Sequence, residues 1–289
     1  MRTLNPIAAF AYFFCAAGLC MFASHPLLFA LSFLGALSLF LCLSEFKGSA
    51  VHALCAVLWL LSAVINPLIS HKGVSVWFFL GDNPVTKESF LYGVSAGGML
   101  AACLYWFSGF TRVFTSDRLL YLFGRVSPKL GLLLSMTLRY IPLFGRQTAR
   151  VHASQKALGL YKNDNAIDAF RGGARIGGVM VTWALENGIV TADSMAARGY
   201  GCGRRSFFAR YRFRRSDAVF LALTLLLSGI TLAAQITGAL NFAFFPSPGA
   251  ILPDIRGMIG LFSYGLLCVL PLILQGTEAL SWHYWKSGI

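Results

Sequence analysis

Charge is what this sequence has least of. Asp and Glu number 11 among 289 residues, and all charged residues together make up 12%. A water-soluble domain carries about 25%, so that class is excluded. With 57% hydrophobic residues and a mean hydropathy of +0.67, the chain reads as an all-α integral membrane protein. It contains no C-x-x-C, and Cys15, Cys20, Cys42, Cys55, Cys103 and Cys268 lie in apolar runs, with only Cys202 in a polar segment. That usage fits small buried hydrophobes and excludes a disulfide framework. No G-x-x-x-x-G-K-[ST] is present, which excludes nucleotide binding of the Walker type. H-E-x-x-H and G-x-S-x-G are missing too, and the five histidines (His25, His52, His71, His152 and His283) are scattered. No metal site, no cofactor and no enzymatic activity are expected.

What is there, above all, is long uncharged stretches. From Thr3 to Ser44 no Asp, Glu, Lys or Arg occurs. A span needs about 20 residues, so this run holds two helices, broken at Ser24-His25-Pro26 and closed by Glu45-Phe46-Lys47-Gly48. A third span is expected over 49–65, ending at Asn66-Pro67 because a residue before proline is pushed out of the helical region. A polar loop with a short apolar piece at 74–80 follows, then a fourth span over 90–110. A fifth starts after Asp217 and reaches about Gln235. The sixth runs from Gly257 to about Gln275, after a loop rich in Phe, Pro and Gly. About six transmembrane helices are therefore expected, in three parts: spans one to four in 1–110, a helical segment in 111–216, and spans five and six in 217–289.

That middle segment carries the charge. It holds 18 of the 24 Lys and Arg against five acids, Asp117, Asp164, Asp168, Glu186 and Asp193, and so accounts for the whole net charge of +13. The positive-inside rule places it in the cytoplasm of a multi-pass cell-membrane protein, with both termini cytoplasmic. Ser127-Pro128 is a helix start signal, an N-cap followed by proline at N1. Arg139, Arg146 and Arg150 share one face of the helix that follows, suited to an acidic partner or to anionic lipid. Pro142 should kink or break that helix, and a further helix pattern passes through 151–160. Between Arg204 and Arg215, arginines alternate with Phe207, Phe208, Tyr211 and Phe213. Before a membrane span this mixture is a lipid anchor rather than a nucleic-acid site.

The stretch 183–201 reads as a helix stopped by glycine. Ala184, Gly188, Ala192 and Ala196 recur four apart and form a ridge that lets another helix cross closely. Arg198 stands at the negative end of the helix dipole, and Gly199 is a natural C′ residue. Upstream, Asp164 and Asp168 are also four apart and could hold Mg²⁺ against a diphosphate. Membrane prenyltransferases use two such acid pairs. This chain offers one, beside Lys162 and Arg171, so a transferase is the alternative reading and helix-terminal charge the preferred one.

Three stretches taken together resemble the transmembrane T component of energy-coupling factor (ECF) transporters, the group that includes cobalt and nickel permeases. They are Asn66-Pro67-Leu68-Ile69-Ser70-His71-Lys72-Gly73, the stretch 118–143 with Ser135-Met136-Thr137-Leu138-Arg139-Tyr140-Ile141-Pro142, and the stretch 185–201 with Ala197-Arg198-Gly199. The resemblance implies a scaffold for uptake of a vitamin or a transition-metal ion. Its partners would be two ABC-type ATPases, a small substrate-binding membrane subunit and the lipid bilayer, with no nucleic acid. It also implies two crossing coupling helices, each presenting an Ala-Arg-Gly tip to one ATPase. Ala197, Arg198 and Gly199 match one tip in full. The other falls at Ala157-Leu158-Gly159, where leucine replaces arginine and where Lys156 or Lys162 could supply the charge.

Overall fold

A computed structural model describes residues 4–44, 49–70, 72–80, 83–159, 166–203, 211, 213–246, 248–249 and 252–287. The chain forms two compact units, Met1–Thr115 with Tyr211–Ile289, and Ser116–Arg210.

The first unit is a helical bundle. It contains α1 (Pro6–Met21), α2 (Pro26–Ser44), α3 (Ser49–Ile69), α4 (Lys87–Val113), α8 (Arg215–Ile236) and α9 (Ile255–Ser287). Five of these are long and apolar enough to cross a membrane, while α1 is shorter, at 16 residues. The break expected at Ser24-His25-Pro26 lies between α1 and α2, at 22–25. Asn5 caps the start of α1 through Ile7 N–H, and His25 Nδ1 accepts from Leu27 N–H at 3.3 Å at the start of α2. The linker 45–48 lies outside the described residues.

Hydrocarbon offers a polar group no solvent, so several polar side chains of the bundle bond to one another and to backbone carbonyls of neighbouring helices. Ser32 on α2 accepts from Trp106 Nε1–H of α4 at 2.9 Å and from the Tyr264 hydroxyl of α9 at 2.9 Å. Tyr264 is also 3.1 Å from the carbonyl of Ala16 on α1. One buried serine thus joins three helices, and its partner reaches a fourth. Thr231 and Ser263 pair across α8 and α9 at 2.9 Å. Helices α3 and α4 approach closely. A Cβ on Gly93 would sit 2.8 Å from the Ser62 carbonyl, and one on Gly97 would sit 2.6 Å from Trp59 Cδ1. The absence of side chains lets Ser62 Oγ–H and Trp59 Nε1–H reach the carbonyls of Gly93 and Val94, at 3.1 and 3.0 Å. This is small-xxx-small packing.

Two expectations are corrected here. Pro67 does not end α3; the helix continues to Ile69 and Ser70 N–H still reaches the Asn66 carbonyl at 2.8 Å. Proline biases the residue before it without forbidding a last turn, and packing of Ala63 and Asn66 against Gly93 holds that turn in place. The segment after α3 is also more than a loop. Strands β1 (Val76–Leu80) and β2 (Asn83–Thr86) pair antiparallel, with an irregularity between Val76 and Phe78. Thr86 is the N-cap of α4, its hydroxyl donates to the Lys72 carbonyl at 2.8 Å, and Ser89 donates to the Ser70 carbonyl at 2.6 Å. The Ser75 N–H donates to the Glu88 carboxylate at 3.2 Å. The first turn of α4 therefore grips the chain that leaves α3.

The second unit contains α5 (Ser116–Val126), α6 (Pro128–Ala157) and α7 (Ala166–Ala197). Of the two outcomes expected at Pro142, a break is overturned: one 30-residue helix continues through Pro142 and takes in 151–157 as well, so the helix pattern over 151–160 is not a separate helix.

Candidate coupling site at the tips of two long helices

At 1.5 Å per residue, α6 and α7 extend for about 45 and 48 Å. Ser127 stands at the N-cap of α6 in an extended conformation with Pro128 behind it, as the start signal requires, although its hydroxyl makes no capping bond. α7 opens with Asp168 in its first turn, where a carboxylate suits the positive end of the dipole. Asp164, the second acid of the pair, and Lys162 lie outside the described residues, as do 204–210 and Arg212 of the arginine–aromatic stretch. Among the described residues, no three His, Cys, Asp or Glu side chains gather as metal ligands.

The two helices meet near their middles. Tyr140 Oη and Thr191 Oγ1 lie 3.0 Å apart, and the rings of Phe144 and Trp183 meet edge to face at 5.7 Å. Moving up α6 from 140 to 144 means moving down α7 from 191 to 183. The helices run in opposite senses, and their C-terminal tips point away from each other. A groove of about 520 Å³ lies between them, lined by Phe144, Thr148, Ile176, Met180 and Ala184 among others.

The ridge expected at the crossing is largely elsewhere. Ala184 lines the groove, whereas Gly188, Ala192 and Ala196 are exposed, and a Cβ on Gly188 would touch nothing within 4 Å. The aromatic pair and the Tyr140–Thr191 contact rotate α7 so that Trp183, Asn187 and Thr191 face α6. These contacts escape sequence reasoning because bulky and small residues alternate around this helix, and only the partner's position selects among the faces.

Both tips end in the same backbone geometry. Leu158 N–H bonds to the Ser154 carbonyl at 3.1 Å, and Arg198 N–H bonds to the Ser194 carbonyl at 3.2 Å. Next in each chain comes a glycine at φ +68° (Gly159) or +69° (Gly199). Gly159 N–H reaches the Lys156 carbonyl and Gly199 N–H the Ala196 carbonyl, at 3.1 and 3.0 Å. At the second tip Tyr200 N–H also reaches the Met195 carbonyl at 3.0 Å, completing a Schellman motif. A left-handed residue in that position is inexpensive only for glycine. The geometry turns the residue before glycine outward: Arg198 is exposed, as is Lys156, and Leu158 is 73% exposed. One tip thus offers a guanidinium with five donors, the other an apolar side chain.

The family model for the cobalt transport protein, CbiQ, matches residues 1–207. The chain belongs to that family. CbiQ proteins are the T component of ECF transporters, a transport component rather than an enzyme, so this is a multi-pass membrane protein of a transport system whose working implies ATPase partners. No curated protein matches the chain. The CbiQ match takes in α1 to α7 and both glycine-ended tips, and α8 and α9 lie beyond it.

Proposed function

We propose that this chain is the scaffold subunit of an ECF-type importer. It couples ATP hydrolysis by two ABC-type ATPases to reorientation of a small substrate-binding membrane subunit. The cargo is a vitamin or a transition-metal ion, and the family's description favours cobalt. The observation that carries this reading is the pair of tips: the two longest helices of the basic unit end in one geometry, point in opposite directions and expose the residue before glycine. With that unit on the cytoplasmic side, as its charge requires, each tip meets one ATPase, and both termini lie in the cytoplasm. Ala197, Arg198 and Gly199 form the charged tip, with Arg198 donating to carboxylates or carbonyls of its groove. Ala157 and Gly159 form the other, with Lys156 at its edge. An uncharged strip of α7 stays exposed between them, including Phe170, Val181, Leu185 and Ile189, with Gly188, Ala192 and Ala196 alongside. Such a strip suits a close crossing with an apolar membrane subunit.

The test is co-purification with the ATPases and uptake in vesicles. Arg198→Glu puts repulsion where a charge-assisted contact is expected, and should weaken ATPase capture by about 2 kcal/mol or more, roughly thirtyfold in Kd. Arg198→Ala should be milder. Undiminished assembly and uptake in Arg198→Glu would remove this arginine from the docking surface.

A further inference from the structure

Four apolar side chains between α3 and α4 stay exposed: Val74 (71%), Val76 (43%), Trp77 (57%) and Phe79 (68%). A two-stranded hairpin has no second layer of its own to cover such residues. The coupling role makes no use of them. Their position, however, is fixed. The Trp77 ring lies 5.9 Å from the Phe90 ring, and Lys87 Nζ stands 5.9 Å from its centroid, so residues of α4's first turn hold it from two sides. Strand β2 runs directly into that turn through the Thr86 cap, and the bonds from Ser75, Thr86 and Ser89 fix the hairpin's base to it.

The length of α4 bears on the depth of its first turn. Twenty-seven residues span about 40 Å. A bilayer's hydrocarbon core is about 30 Å thick and about 40–45 Å with its headgroups. Both ends of α4 therefore lie in the headgroup layer, and Trp77, packed on the first of them, lies there too. A tryptophan beside a lysine, with aliphatic and phenyl groups around them, is the composition that settles at that boundary. The apolar parts enter the top of the acyl region, and the exposed ammonium groups of Lys72 and Lys87 remain among phosphates.

We infer that the strand pair β1–β2, with Val74 before it, is an interfacial anchor whose partner is the phospholipid bilayer itself, with Trp77 and Phe79 inserted at the boundary between headgroups and acyl chains. By gripping α4 at Thr86 and Glu88, it fixes the depth of the helix that packs against α1, α2 and α3.

The inference is tested on the full chain in nanodiscs of phosphatidylcholine and phosphatidylglycerol, with or without bromine near the top of the acyl chains. Wild-type emission minus that of Trp77→Tyr reports Trp77. It should lose most of its intensity in the brominated discs and respond little to aqueous iodide. Emission that survives bromine but falls with iodide would place the hairpin in water and overturn the proposal. Emission that responds to neither would show a second copy of the chain covering it, and would overturn the proposal equally. Should Trp77→Tyr fail to fold, Phe79→Trp in the otherwise wild-type chain adds a reporter two residues on. Its added emission should be quenched by bromine, and its persistence would count against the anchor.

Discussion

His25 shows how one residue can tie stability to pH. Its Nδ1 accepts from Leu27 N–H, so in the neutral ring the proton sits on Nε2, which is buried without a hydrogen-bond partner. The Phe242 ring stands edge to face at 5.5 Å. Burial disfavours the charged ring and lowers the pKa from 6.5. For a histidine held neutral, the unfolded chain takes up the proton first. The contribution is therefore fully present above about 6.5 and is lost as pH falls from there through the folded value. We expect the melting temperature in detergent to drop on acidification from neutrality. His25→Asn keeps an acceptor for Leu27 N–H and removes the titration, so its melting temperature should fall less over the same range. Equal losses in the two proteins would place the pH sensitivity elsewhere. The break at 22–25 is plain in the sequence, since His-Pro interrupts an uncharged run. That the imidazole itself caps α2 is not, because the cap depends on how the loop folds back.

At the scale of elements, one spacing appears twice with different outcomes. Gly93 and Gly97 on α4, and Ala184, Gly188, Ala192 and Ala196 on α7, all recur every four residues. On α4 the spacing brings α3 into contact, while on α7 it leaves three of the four positions exposed. The spacing gives a helix a face that another can approach, and the rotation set by larger neighbours determines whether one does. For α7 those neighbours are Trp183 and Thr191, whose partners Phe144 and Tyr140 lie some forty to fifty residues away and are not visible in local periodicity. The α4 face gives a direct test. Gly97→Leu would drive a side chain into Trp59, whose carbonyl is 2.9 Å from the added Cβ, whereas Gly98 has nothing within 4 Å. Overpacking of this kind costs about 1–3 kcal/mol. Thermal or denaturant unfolding should show Gly97→Leu destabilised by that amount and Gly98→Leu close to wild type. Equal behaviour would mean that α3 does not rest on this face.

For the whole molecule, composition separates an almost neutral membrane bundle from a strongly basic helical unit. The long apolar helices are legible because about 20 uncharged residues have few alternatives. The hairpin is not, because five apolar residues beside turn signals fit a loop as well as a strand. Nor is the continuity of α6: a proline removes one backbone bond, and only the finished helix shows that the rest outweigh it. The pair of tips falls between these cases. Glycine after Ala157-Leu158 and after Ala197-Arg198 is visible as a motif, but the equivalence of Leu158 and Arg198 rests on the matching φ of Gly159 and Gly199. Under the proposed coupling role, equal backbones with unlike side chains would make the two ATPase contacts chemically asymmetric, and this is tested by changing the Leu158 end. If the first ATPase groove is held by the small residues and backbone of the tip, Leu158→Arg adds donors without removing a needed contact. ATPase affinity, measured on the purified subunits, should then be unchanged or tighter. If leucine fills an apolar pocket, a buried guanidinium without a partner would cost several kcal/mol, and capture by that tip would fall at least about tenfold. That loss would show that the two ATPase contacts are built on different chemistry, whereas retained or tighter binding would leave Arg198 as the stronger of two equivalent grips.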